Sequence, residues 1–281
     1  MLKTGQIDFY SLFNILKQQE TFYCGILSLG STGENLSLSF IEKKKIMNFL
    51  NSLKLVVPII YGLGGLQFKK QLQLIKLINT KIEIQGIMLT TPIYVKPGKE
   101  SQKRWFSALL NTCNKQCILY NVPSRTGNNL TPELLKDLKK KKFLWGLKEA
   151  TERVKISNIY KQLNPNIKIY GGEDSLINEF LIQNSIQGII SVLSSLWPKE
   201  TMQFSVKCQK KNATNHDLNL WKKIAKICFQ LTNPILIKKW LYKINSITST
   251  YIRNPLSNNE KPGFNLLCLL NHKIINWGKK N

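Results

Sequence analysis

The chain has 281 residues, of which 43% are hydrophobic and 10% aromatic, and this composition excludes a globally disordered protein. It contains no run close to the ~20 consecutive apolar residues that a membrane-spanning helix needs. The first residues, MLKTGQIDFYSLF, lack the apolar core of a secretory signal. The sequence therefore predicts a cytoplasmic protein without a membrane segment.

The formal net charge of +25 points toward nucleic-acid binding. However, only four of the 41 basic residues are arginine, the residue that makes bidentate and stacking contacts with nucleic acids. The lysines are spread along the whole chain, which is also rich in Asn and Ile, so codon drift in an AT-rich genome explains them better. We predict no nucleic-acid partner and keep a degraded basic binding protein as an alternative.

Short apolar runs alternate with segments of helical spacing over most of the chain. Seven of these runs show little polar alternation, which is typical of parallel strands buried on both faces. The predicted strands are Cys24–Leu29, Leu55–Tyr61, Ile84–Thr90, Cys117–Val122, Phe143–Lys148, Ile167–Tyr170 and Gly188–Val192. The helices between them are predicted at about 37–53, 67–80, 99–113, 131–140, 151–162, 174–184 and 199–210. Repeated strand–helix units of this kind predict a parallel α/β fold.

An eight-stranded barrel needs one strand more than the seven predicted. The first recognisable element is a helix at Asp8–Gln19, so the missing strand would be the first one. From about residue 211 the alternation stops. Further helices are predicted at 216–231, 235–244 and 263–276. We therefore predict a (β/α)8 TIM barrel over residues 1–210 that lacks its first strand, and a C-terminal helical region over residues 211–281.

Polar residues follow several predicted strands, at the end of a parallel barrel where active sites form. Gly30–Glu34 places two hydroxyls between glycines, where they and backbone N–H groups suit a carboxylate; a plain turn is the alternative. Tyr120–Gly127 begins with a tyrosine, which can transfer protons, and then presents Arg125, which can bind a carboxylate bidentately. The alternative interpretation of this segment is a tyrosine of the hydrophobic core and an ordinary surface arginine.

Lys148 interrupts the buried strand within Gly146–Thr151. Burial lowers the pKa of a lysine and leaves more free amine, which a Schiff-base nucleophile needs. A structural ion pair between Lys148 and Glu149 fits these residues equally well. By contrast, metal ligands are scarce, because the six cysteines form no zinc-like CxxC pair and the two histidines lie in the C-terminal third. We predict reduced cysteines and no metal site.

Taken together and in this order, these segments resemble the dihydrodipicolinate synthase family of pyruvate-dependent class I aldolases. The resemblance runs from about residue 5 to about residue 257. The matching segments are Gly30–Glu34, Thr91–Tyr94, Tyr120–Gly127, Gly146–Thr151, Gly171–Asp174, Gly188–Val192 and Asn233-Pro234. Arg125 favours the synthases over the sialic acid lyases and keto-deoxy-sugar aldolases, although another pyruvate-dependent aldolase or lyase stays an alternative.

The resemblance implies condensation of pyruvate with L-aspartate 4-semialdehyde in lysine and diaminopimelate biosynthesis, with no metal or organic cofactor. Lys148 would form the imine with pyruvate, and Tyr120 would relay protons. Ser31 would join this relay, at a position where the family usually has threonine. Tyr94 would complete the relay in the neighbouring subunit, which implies a homo-oligomer, a dimer or a tetramer.

The resemblance also implies a set of substrate-binding residues. Thr32 would hold the carboxylate of pyruvate, and Arg125 would hold the carboxylate of the semialdehyde. Ile190 and Gly172 would line the pocket.

Two departures from the family pattern stand out. Residues Met1–Ile7 match the segment after the family's opening strand. Either the true start lies upstream, which we favour, or the barrel is shortened and its exposed strand edges are covered by other contacts.

The second departure concerns the positions at which feedback-sensitive members hold inhibitory lysine. They are Asn35, Leu36, Phe40, Lys43, Leu66, Lys70 and Ile93. Most are apolar or cationic and cannot satisfy the charges of an amino acid, so we predict insensitivity to lysine.

Overall fold

The computed structural model describes residues 1–22, 25–183, 185–259 and 264–280. Its seven strands form one curled parallel sheet in which each strand neighbours the next along the chain. The strands are β1 (Ile26–Ser28), β2 (Ile59–Leu63), β3 (Ile84–Thr90), β4 (Gln116–Asn121), β5 (Leu144–Glu149), β6 (Lys168–Gly171) and β7 (Ile186–Ile189). The predicted parallel α/β class is therefore confirmed. Cys24, at which the first strand was predicted to begin, lies outside the described residues.

Helices connect the strands, as parallel pairing requires. The α-helices of the described residues are α1 (Phe9–Glu20), α2 (Phe40–Ser52), α3 (Phe68–Asn79), α4 (Lys99–Thr112), α5 (Pro123–Thr126), α6 (Pro132–Leu138), α7 (Ile156–Leu163), α8 (Ile177–Leu181), α9 (Pro198–Gln209), α10 (Asn215–Cys228), α11 (Ile235–Lys243) and α12 (Phe264–Lys280). Short 3-10 helices occur at Asn35–Ser37, Asp174–Leu176 and Leu193–Ser195. The predicted ends at residues 184 and 263 fall outside the described residues.

Side chains along each strand point alternately to the two faces of the sheet, so they are divided between an outer core and the interior of the curled sheet. On β4, Cys117 and Leu119 are fully buried in the main apolar core between sheet and helices. Ile118 and Tyr120 belong to a second, smaller cluster that fills part of the interior together with Met88 of β3. Because side chains on a strand point alternately to opposite faces, residues of one parity on β4 and β5 reach the interior.

One predicted helix start is wrong. The sequence predicted a helix from residue 151, whereas α7 begins at Ile156. The Thr151 N–H donates to Glu149 Oε1 at 2.9 Å, and the Thr151 hydroxyl accepts from the Arg153 N–H at 3.3 Å. These bonds hold a turn in place of a helical first turn. A cap at Thr131 is present, since its hydroxyl accepts from the Leu134 N–H at 3.3 Å.

The C-terminal helices pack against the barrel helices through aromatic side chains. The rings of Trp221 on α10 and Phe204 on α9 stack with centroids 4.5 Å apart, and Trp277 on α12 meets Trp221 edge-on at 5.9 Å. Asp217 accepts a hydrogen bond from Trp277 Nε1 at 2.6 Å. Among the described residues, no helix is both long and apolar enough to cross a membrane.

Candidate active site

The strand ends of β4 and β5 bring a lysine and a tyrosine together inside the curled sheet. Tyr120 and Lys148 are register partners on these neighbouring strands. The Lys148 ammonium nitrogen lies 4.6 Å from the centroid of the Tyr120 ring. Lys148 is only 7% exposed and Tyr120 only 6%. The pairing places a buried amine beside a buried phenol.

Burial lowers the pKa of Lys148 to about 8. The charge of Asp174 opposes this shift, while the Arg125 guanidinium adds to it. Within the described part of the chain, no carboxylate forms an ion pair with Lys148. A lower pKa leaves a larger fraction of the unprotonated amine near neutral pH, and only this form is nucleophilic.

The interpretation of Lys148 as an ion-pair partner of Glu149 is wrong. Adjacent residues of a strand face opposite ways, so Lys148 lines the interior cavity while Glu149 is buried on the other face of β5. The Glu149 carboxylate accepts instead from Asn121 Nδ2 at 2.8 Å and from the Thr151 N–H at 2.9 Å.

Tyr120 keeps its proton at neutral pH. Burial raises the pKa of its phenol to about 12, although the Arg125 charge and a hydrogen bond with the Ser31 hydroxyl act in the opposite direction. The structure thus joins Ser31, from the loop after β1, to Tyr120. A protonated phenol bonded to a hydroxyl can pass a proton along the pair.

Thr32, the next residue of this loop, also borders the cavity. Its hydroxyl oxygen accepts a hydrogen bond from Asn233 Nδ2 at 2.7 Å, so the hydroxyl proton is directed elsewhere and can be donated to a ligand. The loop is tight, with the Gly33 N–H bonded to the Gly30 carbonyl at 3.1 Å and Glu34 in the left-handed region at φ 54°. Asn233 belongs to the segment Asn233-Pro234 that matches the family, but no role was predicted for it.

Gly172 and Ile190 form the wall beside the lysine. A Cβ on Gly172 would come 2.7 Å from Lys148 Cε and 3.0 Å from its Cγ, so a larger residue there would displace the lysine side chain. The Ile190 N–H donates to the Gly171 carbonyl at 2.8 Å, which holds Ile190 at the cavity.

Arg125 lies at the end of the short helix α5, where its side chain is exposed at the cavity. Tyr94 is the one predicted site residue that the chain does not bring to the others. It is 87% exposed and has a positive φ of 71°, which is strained for a side chain of this size. It borders neither of the two cavities at this end of the sheet.

The cavity around Lys148 has a volume of about 740 Å³. It contains every predicted site residue except Tyr94. They are Ser31, Thr32, Tyr120, Arg125, Lys148, Gly172 and Ile190. A second cavity of about 480 Å³ shares Ser31, Tyr120 and Arg125 with the first. An amine, a phenol, two hydroxyls and a guanidinium in one cavity can bind a keto acid and convert it into an imine.

Asp174 is a further residue of this end of the sheet to which sequence analysis gave no role, although the segment Gly171–Asp174 was noted for its glycines. Its carboxylate accepts from the Ser191 hydroxyl and from the Val192 N–H, the latter at 2.8 Å. Burial raises the pKa of Asp174 to about 6. The acid thereby fixes the turn after β7, next to Ile190.

Other predicted features are located as follows. Among the described residues, no three His, Cys, Asp or Glu side chains cluster in a way that suits a metal ion. The five cysteines of the described residues are free thiols, while Cys24 lies outside them.

Of the positions matched to lysine feedback, Leu36 and Leu66 are exposed apolar side chains. Burial and the charge of Lys70 both lower the pKa of Lys43.

Comparisons with known proteins show the family and the fold to which the chain is similar. The sequence model of the Dihydrodipicolinate synthetase family matches residues 1–265. The 4-hydroxy-tetrahydrodipicolinate synthase of Francisella tularensis subsp. novicida (strain U112) is 41% identical over 277 residues, which cover 99% of this chain and 93% of that protein. The solved structure of the 4-hydroxy-tetrahydrodipicolinate synthase from Methylacidiphilum fumariolicum SolV has a TM-score of 0.90 at 25% identity, covering 98% of this chain and 94% of that one. The structure of a dihydrodipicolinate synthase from Acinetobacter baumannii complexed with pyruvate has a TM-score of 0.84 at 26% identity, covering 98% and 93%. The chain belongs to the dihydrodipicolinate synthetase family.

Proposed function

We propose that this chain is a lyase with 4-hydroxy-tetrahydrodipicolinate synthase activity, which condenses pyruvate with L-aspartate 4-semialdehyde in lysine and diaminopimelate biosynthesis. The observation that carries the proposal is the buried Lys148, which has no ion-pair partner among the described residues and lies beside Tyr120 in a cavity that also contains Arg125. Curated relatives bear this enzyme name at 41% identity over nearly the whole chain.

The amine of Lys148 attacks the ketone carbon of pyruvate, and loss of water gives an imine. Removal of a proton from the methyl group converts the imine into an enamine, whose carbon bonds to the aldehyde carbon of the semialdehyde. The amino group of the semialdehyde then displaces the lysine from the imine carbon, which releases the cyclic product and restores the free amine. The protonated imine nitrogen accepts the electron pair when the methyl proton leaves, and the enamine returns this pair to form the carbon–carbon bond.

Protons move through Tyr120 and Ser31 in this proposal. The phenol is protonated at neutral pH because burial raises its pKa to about 12, so it can donate to the hydroxyl that leaves as water. The hydrogen bond between Ser31 and Tyr120 supports the relay. A serine holds its hydroxyl less firmly than the threonine usual in the family, because it lacks the branched Cβ that restricts the rotamer.

The two substrate carboxylates have separate partners. Thr32 can donate its hydroxyl proton to the carboxylate of pyruvate, since its oxygen already accepts from Asn233. Arg125, exposed at the cavity, is placed to bind the carboxylate of the arriving semialdehyde. Gly172 and Ile190 form the walls between them.

Several finer features belong to the same proposal. Tyr94 borders neither of the two cavities described above, and its 87% exposure supports insertion into a neighbouring subunit of a homo-oligomer. The described sheet has edges at β1 and β7, which supports a TIM barrel that lacks its first strand. We also propose that residues 1–210 form the barrel domain, that residues 211–281 form a helical appendage, and that the enzyme acts in the cytoplasm.

The test is borohydride reduction of the purified protein in the presence of pyruvate, followed by mass spectrometry of its peptides. We expect a pyruvyl adduct on Lys148 that is absent from a folded Lys148→Arg variant. Lys238, which is equally buried but ion-paired to Glu34 at 2.8 Å, is the internal control and should stay unmodified. An adduct without turnover of the semialdehyde would indicate another pyruvate-dependent aldolase, and a folded protein without any adduct would refute the proposal.

A further inference from the structure

A buried acid lies directly behind the pair formed by Tyr120 and Lys148. Glu149 has no exposed surface, and within the described residues no cation lies at ion-pair distance from it. Its carboxylate accepts from Asn121 Nδ2 at 2.8 Å and from the Thr151 N–H at 2.9 Å. All these partners belong to the outer face or to the loop after β5, away from the cavity.

The acid is coupled to the catalytic pair by the pairing of the strands. Asn121 and Glu149 are register partners, one position after the partners Tyr120 and Lys148. Asn121 Oδ1 also accepts from the Leu130 N–H at 3.0 Å. The hydrogen bond between Asn121 and Glu149 therefore crosses from β4 to β5 immediately beside the two side chains that would carry out the chemistry.

A second layer of hydrogen bonds fixes the orientation of this bridge. Tyr160 of α7 donates its hydroxyl to the Leu130 carbonyl at 2.8 Å. Asn121 Nδ2 donates to Asn129 Oδ1 at 2.9 Å as well. Helix α7 and the loop at 129–130 are thus joined to Asn121, which in turn binds the Glu149 carboxylate.

The arrangement is costly for stability alone. Removing a carboxylate from water without a cation is unfavourable, and burial raises the pKa of Glu149 even though several donors act against that shift. An apolar side chain of similar size would fill the same space at lower cost. The pairing of β4 with β5 is also irregular near the site, because its register shifts between Cys117 and Ile118.

We infer that Glu149 is a positioning residue that, through its hydrogen bond to Asn121, fixes the distance between Tyr120 and Lys148. The inference rests on the proposed function of Lys148 as the Schiff-base amine. A displacement of about 1 Å between reacting groups can cost on the order of 100-fold in rate, so a rigid bridge behind the pair has a kinetic effect.

The first variant is Glu149→Gln, which keeps the shape and replaces one acceptor oxygen with a donor. The one remaining carbonyl oxygen can accept from Asn121 or from Thr151 but not from both, so at least one of the two bonds that hold this side chain is lost. We expect imine trapping by borohydride and kcat with the semialdehyde to fall by about 10- to 100-fold. The KM for pyruvate should change by less than about threefold, because its carboxylate is bound elsewhere.

The second variant, Glu149→Gln with Asn121→Asp, exchanges donor and acceptor across the bridge. The introduced aspartate can still accept from the Leu130 N–H and can now accept from the introduced amide. On a logarithmic scale, we expect this variant to recover at least about half of the loss in trapping rate and kcat that Glu149→Gln shows. If this variant does not fold, Asn121→Ala alone should match Glu149→Gln in its loss of rate, since both open the same bridge.

The control is Asp217→Asn, which alters a buried acid of α10 that accepts from Trp277 Nε1 and the Thr214 N–H. It should lower the melting temperature without changing the trapping rate. If Glu149→Gln traps the imine at the same rate as the wild-type protein, the inference is overturned and the proposed function stays intact. A loss of rate that the exchange variant does not recover would also overturn it. Absence of an adduct in the wild-type protein would instead refute the proposed function.

Discussion

Two lysines of this chain are buried to the same extent in different surroundings. Lys148 is 7% exposed and Lys238 is 8% exposed. Lys238 donates to Glu34 Oε2 at 2.8 Å and to the Tyr251 carbonyl at 2.6 Å. Lys148 instead faces the Tyr120 ring in an open cavity. The two sites therefore differ in the partner that faces the ammonium group rather than in the burial of the lysine.

The largest expected difference between the two sites is in activity. Lys148→Met should abolish imine formation, because no other amine takes its place in the cavity. Lys238→Met should retain pyruvate trapping on Lys148 when assayed well below its melting temperature. Peptide mass spectrometry of both variants after borohydride treatment measures this. Loss of the adduct in a folded Lys238→Met protein would place the two lysines in one functional unit and contradict the comparison.

The second difference is in the free energy of unfolding, where the order is reversed. Lys238→Met leaves the Glu34 carboxylate buried without its cation and should cost about 3 kcal/mol. Lys148→Met removes an unpaired buried ammonium and should stabilise the protein by about 1–3 kcal/mol near pH 7. Urea denaturation of the two variants and the wild type measures both. Equal destabilisation by the two substitutions would show that Lys148 also has a neutralising partner.

This stabilisation should depend on pH in a defined direction. The pKa of Lys148 is lowered to about 8 in the folded chain, from 10.5 in an ordinary lysine, so the unfolded state binds more protons between these values. The penalty of burying the ammonium is complete below pH 8 and disappears as the pH rises toward 10.5. The advantage of Lys148→Met over the wild type should therefore shrink across this interval. An advantage that is constant with pH would indicate an effect of packing rather than of charge.

A smaller effect is expected in the pH profile of imine formation. The trapping rate should rise with pH and level off above about 8, the pKa of Lys148. The negative charge of Asp174 raises that pKa, so Asp174→Asn should move the midpoint to lower pH. The measurement is the trapping rate between pH 6 and 10, with saturating pyruvate. A midpoint that moves upward would mean that the turn held by Asp174, rather than its charge, dominates.

The smallest expected effect is that of added lysine, which should leave the rate unchanged. Lys43 represents a third setting, in which burial and then the charge of Lys70 lower its pKa. Two cations repel the ammonium groups of an amino acid, and the exposed apolar side chain of Leu36 offers its carboxylate no donor. Steady-state assays with millimolar lysine measure this. Inhibition at sub-millimolar lysine would contradict the prediction.

Much of the fold could be predicted from the chain. Each of the seven strands overlaps a predicted apolar run, because a strand covered on both faces needs no polar residues. However, β2 begins at Ile59 rather than Leu55, and β7 ends at Ile189 rather than Val192. The runs at Ile84–Thr90 and Phe143–Lys148 agree with β3 and β5 to within a residue. The start of α7 could not be predicted, because the Thr151 N–H binds Glu149 rather than starting a helix. A local capping pattern does not show that the Glu149 carboxylate will bind this N–H.

The sequence by itself determined the fold class and the candidate residues, since period-2 and period-3.6 patterns and unusual residues at strand ends are local properties. Whether Lys148 is a nucleophile or an ion-pair partner was left undecided by the sequence around it. Tertiary structure decided that Glu149 faces away, that Asn233 holds Thr32 across 201 positions of the chain, and that Tyr94 stays outside the cavity. These facts depend on which strands and loops meet in space, and the pKa of a side chain follows from those neighbours rather than from its own segment.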